Sequence, residues 1–156
     1  MATNISIAGL GGQGVLKASD VVAEAAFRSG ADVKKSEVHG MSQRGGSVCG
    51  EIRFGEQVWS PMIPPGEADF LVALAPGEVE PNRHRLRSGG ILIGPDRIDP
   101  ARLENRKCLN IALLGVLSRH LSLTEEHWLA ALRGCLPEKI LEINLRAFQL
   151  GRQAPA

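Results

Sequence analysis

Near its start the chain runs from a short apolar stretch, Ile5-Ser6-Ile7-Ala8, through Gly9-Leu10-Gly11-Gly12-Gln13-Gly14, into a segment that opens Val15-Leu16 with apolar residues at helical spacing. A strand that stops at a glycine turn and passes straight into a helix specifies a βα unit, with the helix N-terminus at the strand's carboxyl end. The first amides of such a helix lack intrahelical acceptors, and the helix dipole adds positive potential, so the turn suits an anion, most often a phosphate. Gly9, Gly11 and Gly14 match the spacing of the dinucleotide fingerprint. A glycine turn closing a βα unit with nothing bound fits the same residues. Gly11→Val is expected to damage the turn by blocking close approach and disfavouring a positive φ.

The elements that follow extend this unit. Val15, Ala18, Val22, Ala25 and Ala26 recur at helical spacing over residues 15–29, and Gly30 suits the helix exit. A second strand is predicted over residues 32–37, giving β-α-β. An antiparallel hairpin is predicted from residues 47–54 and 58–60 across a turn at 55–57. Pro61, Pro64, Pro65 and Gly66 mark a loop. Residues 70–74 and 91–93 are continuous apolar runs, the pattern of buried strands. The last third reads as helical: residues 109–121, a helix capped by Ser122 or Thr124, and a final helix with Pro137 in its first turn and Gly151 at its exit. That final helix carries Ile140, Leu141, Ile143, Leu145, Phe148 and Leu150 around most of its circumference, which asks for burial on more than one side. The expected fold is α/β: a single Rossmann-like domain over residues 1–156 with a mixed, mainly parallel sheet, an antiparallel hairpin and a helical C-terminal third.

Charge and cysteine usage narrow the function. The 18 basic residues nearly balance the 17 acidic ones, so there is no electrostatic case for nucleic acid or an anionic membrane. No apolar stretch is long enough to span a bilayer, and no basic segment precedes the first strand as in a secretory signal. Cys49, Cys108 and Cys135 are widely spaced and odd in number, which fits neither a disulfide framework nor an iron–sulfur site, so a cytoplasmic location is expected. Cys49 reads as a small buried strand residue, and Trp59 and Trp128 read as packing or interface anchors. No histidine, cysteine and carboxylate spacing suggests a metal.

A second unusual segment, residues 36–47, follows the predicted second strand. In a doubly wound sheet the loops at neighbouring strand ends share a crevice, so this loop and the glycine turn are expected to face one site. Arg44 offers a planar fork to a phosphate or carboxylate. Gly45 and Gly46 allow backbone amides to come close, and Ser42, Gln43 and Ser47 supply neutral polar groups. A self-bonded turn with Arg44 paired to Glu37 fits equally well. His39 is placed to hydrogen-bond a carbonyl or phosphate or to brace the loop, whereas His84, His120 and His127 read as ordinary surface residues. The candidate ligand-binding residues are therefore Gly9, Gly11, Gly12, Gln13, Gly14, His39, Ser42, Gln43, Arg44, Gly45 and Gly46.

Taken together, Gly9-Leu10-Gly11-Gly12-Gln13-Gly14-Val15-Leu16 and Ser36-Glu37-Val38-His39-Gly40-Met41-Ser42-Gln43-Arg44-Gly45-Gly46-Ser47-Val48 resemble the gamma-type subunits of 2-oxoacid:ferredoxin oxidoreductases. Within that family they are most similar to the beta subunits of indolepyruvate ferredoxin oxidoreductases. Residues 67–73, 110–115 and 137–148 match as well, so the resemblance runs from end to end. One stretch departs. Such subunits usually carry a longer strand and helix between the elements here ending at Ile93 and starting near Leu109, so one sheet edge is expected to be trimmed or rebuilt.

The resemblance implies oxidative decarboxylation of a 2-oxoacid, an aryl pyruvate such as indolepyruvate, with coenzyme A as acyl acceptor and ferredoxin as electron acceptor. Thiamine diphosphate with Mg2+ and 4Fe-4S clusters are then expected on a larger partner subunit, through which ferredoxin is also reached. This chain would assist by forming the complex and by walling the coenzyme A or acyl-transfer site, and is expected to be inactive alone. No general base or nucleophile is assigned within it. Two other readings stand beside this one: a free-standing nucleotide-binding regulatory module, and an NAD-dependent dehydrogenase in which Glu37 holds the ribose hydroxyls. The hairpin directly after the second strand argues against the dehydrogenase, and Lys34 and Lys35 make that strand unusually polar for it.

Overall fold

In the computed structural model, which describes residues 1–39 and 46–155, the first strand β1 (Thr3–Leu10) leads through the glycine turn into α1 (Val15–Arg28). Ala18, Val22, Ala25 and Ala26 of α1 are fully buried against the sheet. Gly30, at φ 93°, ends the helix: its N–H reaches Phe27 O while Ala31 N–H reaches Ala26 O, the paired bonds of a Schellman stop. Three further strands cluster with β1, namely β2 (Asp32–His39), β3 (Ser47–Gly55) and β4 (Ala68–Ala73), and β5 (Leu86–Ile93) completes a five-stranded sheet in the order β2-β3-β1-β4-β5.

That order corrects the expected β-α-β pairing. Strand β3 lies between β1 and β2 and is antiparallel to both. The hairpin arms are therefore β2 and β3, not residues 47–54 with 58–60. The link of residues 40–46 is too short for the crossover that parallel neighbours need, so β3 must turn back. Gly50 makes room for it under the helix, since a Cβ there would lie 2.1 Å from Ser19 Oγ. Residues 58–60 stay outside the sheet because side chains take over their backbone bonds. Asp32 Oδ2 accepts from Val58 N–H at 2.8 Å, and Arg53 Nη1 donates to Ser60 O at 3.1 Å and to Met62 O at 3.0 Å. The Val58 N–H and the Lys34 ammonium hold the Asp32 carboxyl below its ordinary range. Trp59, on this pinned segment, is 84% exposed, whereas Trp128 is wholly buried.

The apolar runs form β4 and β5, paired parallel to one another, and β4 pairs parallel with β1. A short helix α2 (Val79–Asn82) connects them, and β5 is a sheet edge followed by three single 3-10 turns rather than another strand. The helical last third consists of α3 (Leu109–Ser118), α4 (Glu125–Cys135) and α5 (Glu138–Arg152). Thr124 caps α4 in a reciprocal pair with His127, whose Nδ1 accepts from Thr124 N–H at 3.2 Å, so His127 is a capping residue and not a plain surface one. Pro137 is the N-cap of α5.

Gly151 corrects the expected exit from that helix, because it lies inside α5. A Cβ there would fall 1.8 Å from Ala112 O, and one on Gly115 would fall 2.2 Å from Phe148 O. The two glycines let the backbones of α3 and α5 touch. One face of α5 buries Asn144, Ala147 and Phe148, while Leu141, Ile143, Leu145 and Leu150 are half-buried. No helix is long and apolar enough to cross a membrane among the described residues.

Candidate functional site

Because β2 and β1 run in the same direction with β3 between them, the turn after β1 and the hairpin turn after β2 leave the same edge of the sheet. His39 pairs with Val48, and Val48 with Gly9, so His39 stands two strand spacings, about 10 Å, from the start of the glycine turn. The turns are joined directly: Gly11 N–H donates to Gly46 O at 2.9 Å. Leu10, Val15, Leu16, Val48, His39 and the glycines between them line a cavity of about 450 Å³. His39 is exposed there, with Nε2 3.4 Å from Glu37 Oε2. The structure thus brings Gly9, Gly11, Gly12, Gln13, Gly14, His39 and Gly46 together. Ser42, Gln43, Arg44 and Gly45 lie outside the described residues.

The glycines of the first turn have separate tasks. Positive φ falls on Gly12 (89°) and Gly14 (83°), not on Gly11. Gly9 permits close helix–strand packing, since its Cβ would lie 2.8 Å from Val15 Cγ2. Gly14 is required on two counts, its φ and the 2.4 Å that would separate its Cβ from Asn110 Nδ2. Gln13 turns inward, its Oε1 accepting from Leu10 N–H at 2.7 Å while its own N–H reaches Leu10 O at 3.1 Å. That makes Gln13 a brace of the turn. Among the described residues the amides of Gly12, Gly14, Val15, Leu16 and Lys17 have no protein acceptor, and Ala18 N–H, bonded to Gly14 O, starts the helical ladder.

Residues from the last third complete the surroundings, and sequence reasoning missed them. Asn110, 7% exposed near the start of α3, donates from Nδ2 to Gly14 O at 3.1 Å. Arg106 and Lys107 precede it and line a second cavity of about 210 Å³ with Gly12, Gln13, Leu74 and Asn110. Asn110 stands at the head of the stretch 110–115 that matched the family, which was the available signal. Nothing in the sequence marked the two cations.

The thiols contribute nothing here. Burial pushes the Cys49 thiol up to about 11, and Cys108 and Cys135 are also raised by burial. No group of three or more histidine, cysteine or acidic residues among the described ones could hold a metal. Among the described residues the donor set therefore does not fit an iron–sulfur cluster. Glu37 sits on the edge strand, with β3 between it and β1, so the neighbouring parallel strand that an NAD-dependent dehydrogenase needs is not there.

A model of the family described as pyruvate ferredoxin/flavodoxin oxidoreductase matches residues 4–154. The chain belongs to this family. It is 34% identical to the indolepyruvate oxidoreductase subunit IorB of Thermococcus kodakarensis, over 97% of this chain and 95% of that one. The alignment spans 191 residues, more than the 156 of this chain, so the relative carries segments that this chain lacks. A crystal structure of the gamma subunit of a keto/oxoacid ferredoxin oxidoreductase from Geobacter sulfurreducens superposes with a TM-score of 0.80 at 26% identity, over 96% of this chain and 95% of that one. The fold also recurs, with a TM-score of 0.82 at 20% identity, within a 2-oxoglutarate:ferredoxin oxidoreductase from Magnetococcus marinus, covering 97% of this chain and 30% of that longer one. The family member described here thus corresponds to a subunit of 2-oxoacid:ferredoxin oxidoreductases.

Proposed function

We propose that residues 1–156 act as one gamma-type domain, the small subunit of a ferredoxin-dependent oxidoreductase for an aryl pyruvate such as indolepyruvate. The overall reaction takes the 2-oxoacid and coenzyme A to acyl-CoA and carbon dioxide, with two electrons passing to ferredoxin. Thiamine diphosphate, Mg2+ and 4Fe-4S clusters belong in this reading to a larger partner subunit, where they supply carbanion stabilisation and single-electron transfer. The small chain works in the cytoplasm and has no turnover alone.

Its own contribution is a wall of the coenzyme A site. The unpartnered amides around Gly12, Gly14 and Val15 receive a phosphate at the positive end of α1. Gly9, Gly11 and Gln13 hold that turn in shape, His39 and Gly46 bring the second loop to it, and Ser42, Gln43, Arg44 and Gly45 supply polar contacts from that loop. The observation that carries the reading is the 2.9 Å bond from Gly11 N–H to Gly46 O, which fastens the two loops into one site in a chain matching nearly the full length of an IorB subunit.

The decisive experiment is co-expression with a larger thiamine diphosphate and iron–sulfur subunit from the same genome, followed by assay with indolepyruvate, phenylpyruvate and pyruvate in the presence of coenzyme A. Activity is expected only when both chains are present, with indolepyruvate the best substrate, and Arg44→Ala should lower it. Full coenzyme A-dependent turnover by the larger subunit alone would end the proposal.

A further inference from the structure

One edge of the sheet is left open. Strand β2 pairs with β3 on one side only, and among the described residues no other backbone reaches the outer side of residues 33–39. Its side chains divide between two faces. Lys35 and Glu37 lie opposite Ile52 and Gly50, on the face that α1 covers, where Lys35 is paired with Asp20. Lys34, Ser36 and Val38 lie on the other face, opposite Arg53, Glu51 and Cys49. The 58–62 segment crosses that second face beside them: Asp32 holds Val58 N–H, and Pro61 O accepts from Ser36 Oγ at 3.4 Å. Val38 on the strand, and Trp59 and Met62 on the segment, are exposed. An open row of backbone groups therefore runs beside apolar side chains that this chain leaves uncovered.

We propose that β2 is a self-pairing edge, joining two copies of this chain antiparallel across a two-fold axis at Ser36 into one continuous sheet. Two identical strands offer the same alternate set of outward N–H and C=O groups, so opposed residues are both odd- or both even-numbered and the axis passes through a residue. An axis at Lys34, Lys35 or Glu37 sets like charges face to face, which destabilises a ladder. An axis at Ser36 instead opposes two neutral hydroxyls, sets Lys35 against the second copy's Glu37 on both sides of the axis, and lays each Lys34 stem beside a Val38. It also overlaps residues 33–39 in full, enough for about six to eight backbone bonds. The lysines that deter unspecific edge pairing thus select one register. Because the pinned segment reaches Ser36, Trp59 and Met62 of both copies flank the axis and supply apolar area for the contact to cover. The pairing does not depend on what the glycine turn binds.

The test is analytical ultracentrifugation of the 156-residue chain over a concentration series, where the mass should rise from 16.7 kDa toward twice that value. Lys35→Glu sets glutamates face to face twice and should weaken association at least about tenfold at low salt. Lys35→Glu/Glu37→Lys re-forms both pairs with the signs exchanged and should restore association to within about threefold of the parent. Both variants lose the Asp20 pair, so a mere folding defect would persist in the second. Register is read by cross-linking. Ser36→Cys, made with Cys49→Ala so that no diagonal thiol captures it, should join its twin by a disulfide under mild oxidation, because opposed Cα atoms lie about 4.5–5.5 Å apart. Glu37→Cys in the same background should not. A mass that stays at 16.7 kDa throughout, an association indifferent to Lys35→Glu or not restored by the double exchange, or cross-linking at position 37 but not at position 36 overturns the proposal.

Discussion

Replacing Gly151 by alanine sets two well-measured effects against one another, so the sign of the result is itself the test. In a helix interior alanine is favoured over glycine by about 1 kcal/mol. At Gly151, however, the new methyl would lie 1.8 Å from Ala112 O and 2.9 Å from Ala112 C, whereas ordinary contact begins at 3.4 Å. Both obstacles are backbone, so no side chain can rotate aside and α3 and α5 must part by roughly 1.5 Å. Overpacking of this kind costs about 3 kcal/mol, leaving a net loss of about 2 kcal/mol. For a chain of this size that is a fall in Tm of about 4–8 °C. Gly134→Ala is the matched control: it is also helical, but its Cβ meets only the flexible end of Arg28, 3.3 Å away at Nη2. It should hold or raise Tm by a degree or two. Thermal melts followed by circular dichroism decide the matter. A Gly151→Ala protein that melts at or above the parent would refute the tight crossing, and with it the account of how α3 is seated beside the glycine turn.

Three further outcomes are expected. Asn110→Ala removes the side chain that holds Gly14 O, and should lower stability by about 1–2 kcal/mol while raising the KM for coenzyme A in the assembled enzyme more than that for the oxoacid, as steady-state kinetics will show. Cys49, with its thiol pushed up to about 11, should resist iodoacetamide in the folded protein at pH 8, where about one molecule in a thousand is thiolate, and react once urea unfolds it. That raised value favours the folded chain below the ordinary thiol value of 9.0, and the contribution is lost as pH climbs toward 11. Asp32 behaves oppositely: its carboxyl is held below 3.8, so its grip on Val58 N–H persists above that value and is lost as pH falls beneath it. Hydrogen exchange should find Val58 protected at pH 6 in the parent and unprotected at the same pH in Asp32→Ala.

The parts of this fold that were legible in advance are those specified by neighbours in the chain. The glycine turn, the alanine-faced α1, the Schellman stop at Gly30, the Thr124 cap and the buried strand β4 all follow from local spacing, whereas the run at 91–93, expected to be buried, lies on the edge strand β5 with Ile91 and Leu92 only half-buried. Strand order did not follow from spacing. Whether residues 47–54 pair backward with 32–39 or forward with 58–60 depends on Asp32 and Arg53 capturing the backbone of the later segment, and on Gly50 clearing space beneath Ser19; none of these contacts leaves a periodic trace. Gly151 misled for a related reason, since a glycine that ends a helix and one that lets two helices touch look alike without the partner. At the candidate site, the glycine turn was marked by its composition, while residues 40–45 of the second loop lie outside the described residues. Asn110, Arg106 and Lys107 approach from far along the chain, where only the three-dimensional packing assigns them a neighbour.

The bond between Asn110 and Gly14 spans 96 positions, and it bears on how the protein is made. Strands β1, β2 and β3 and the first helix all lie within the opening 55 residues and pair mostly with one another, so they can organise early on the ribosome. The brace for the glycine turn is translated long afterwards. A nascent or prematurely terminated product can therefore own the turn and still lack the side chain that holds Gly14 O, so the braced form of the turn arrives only once α3 has been made.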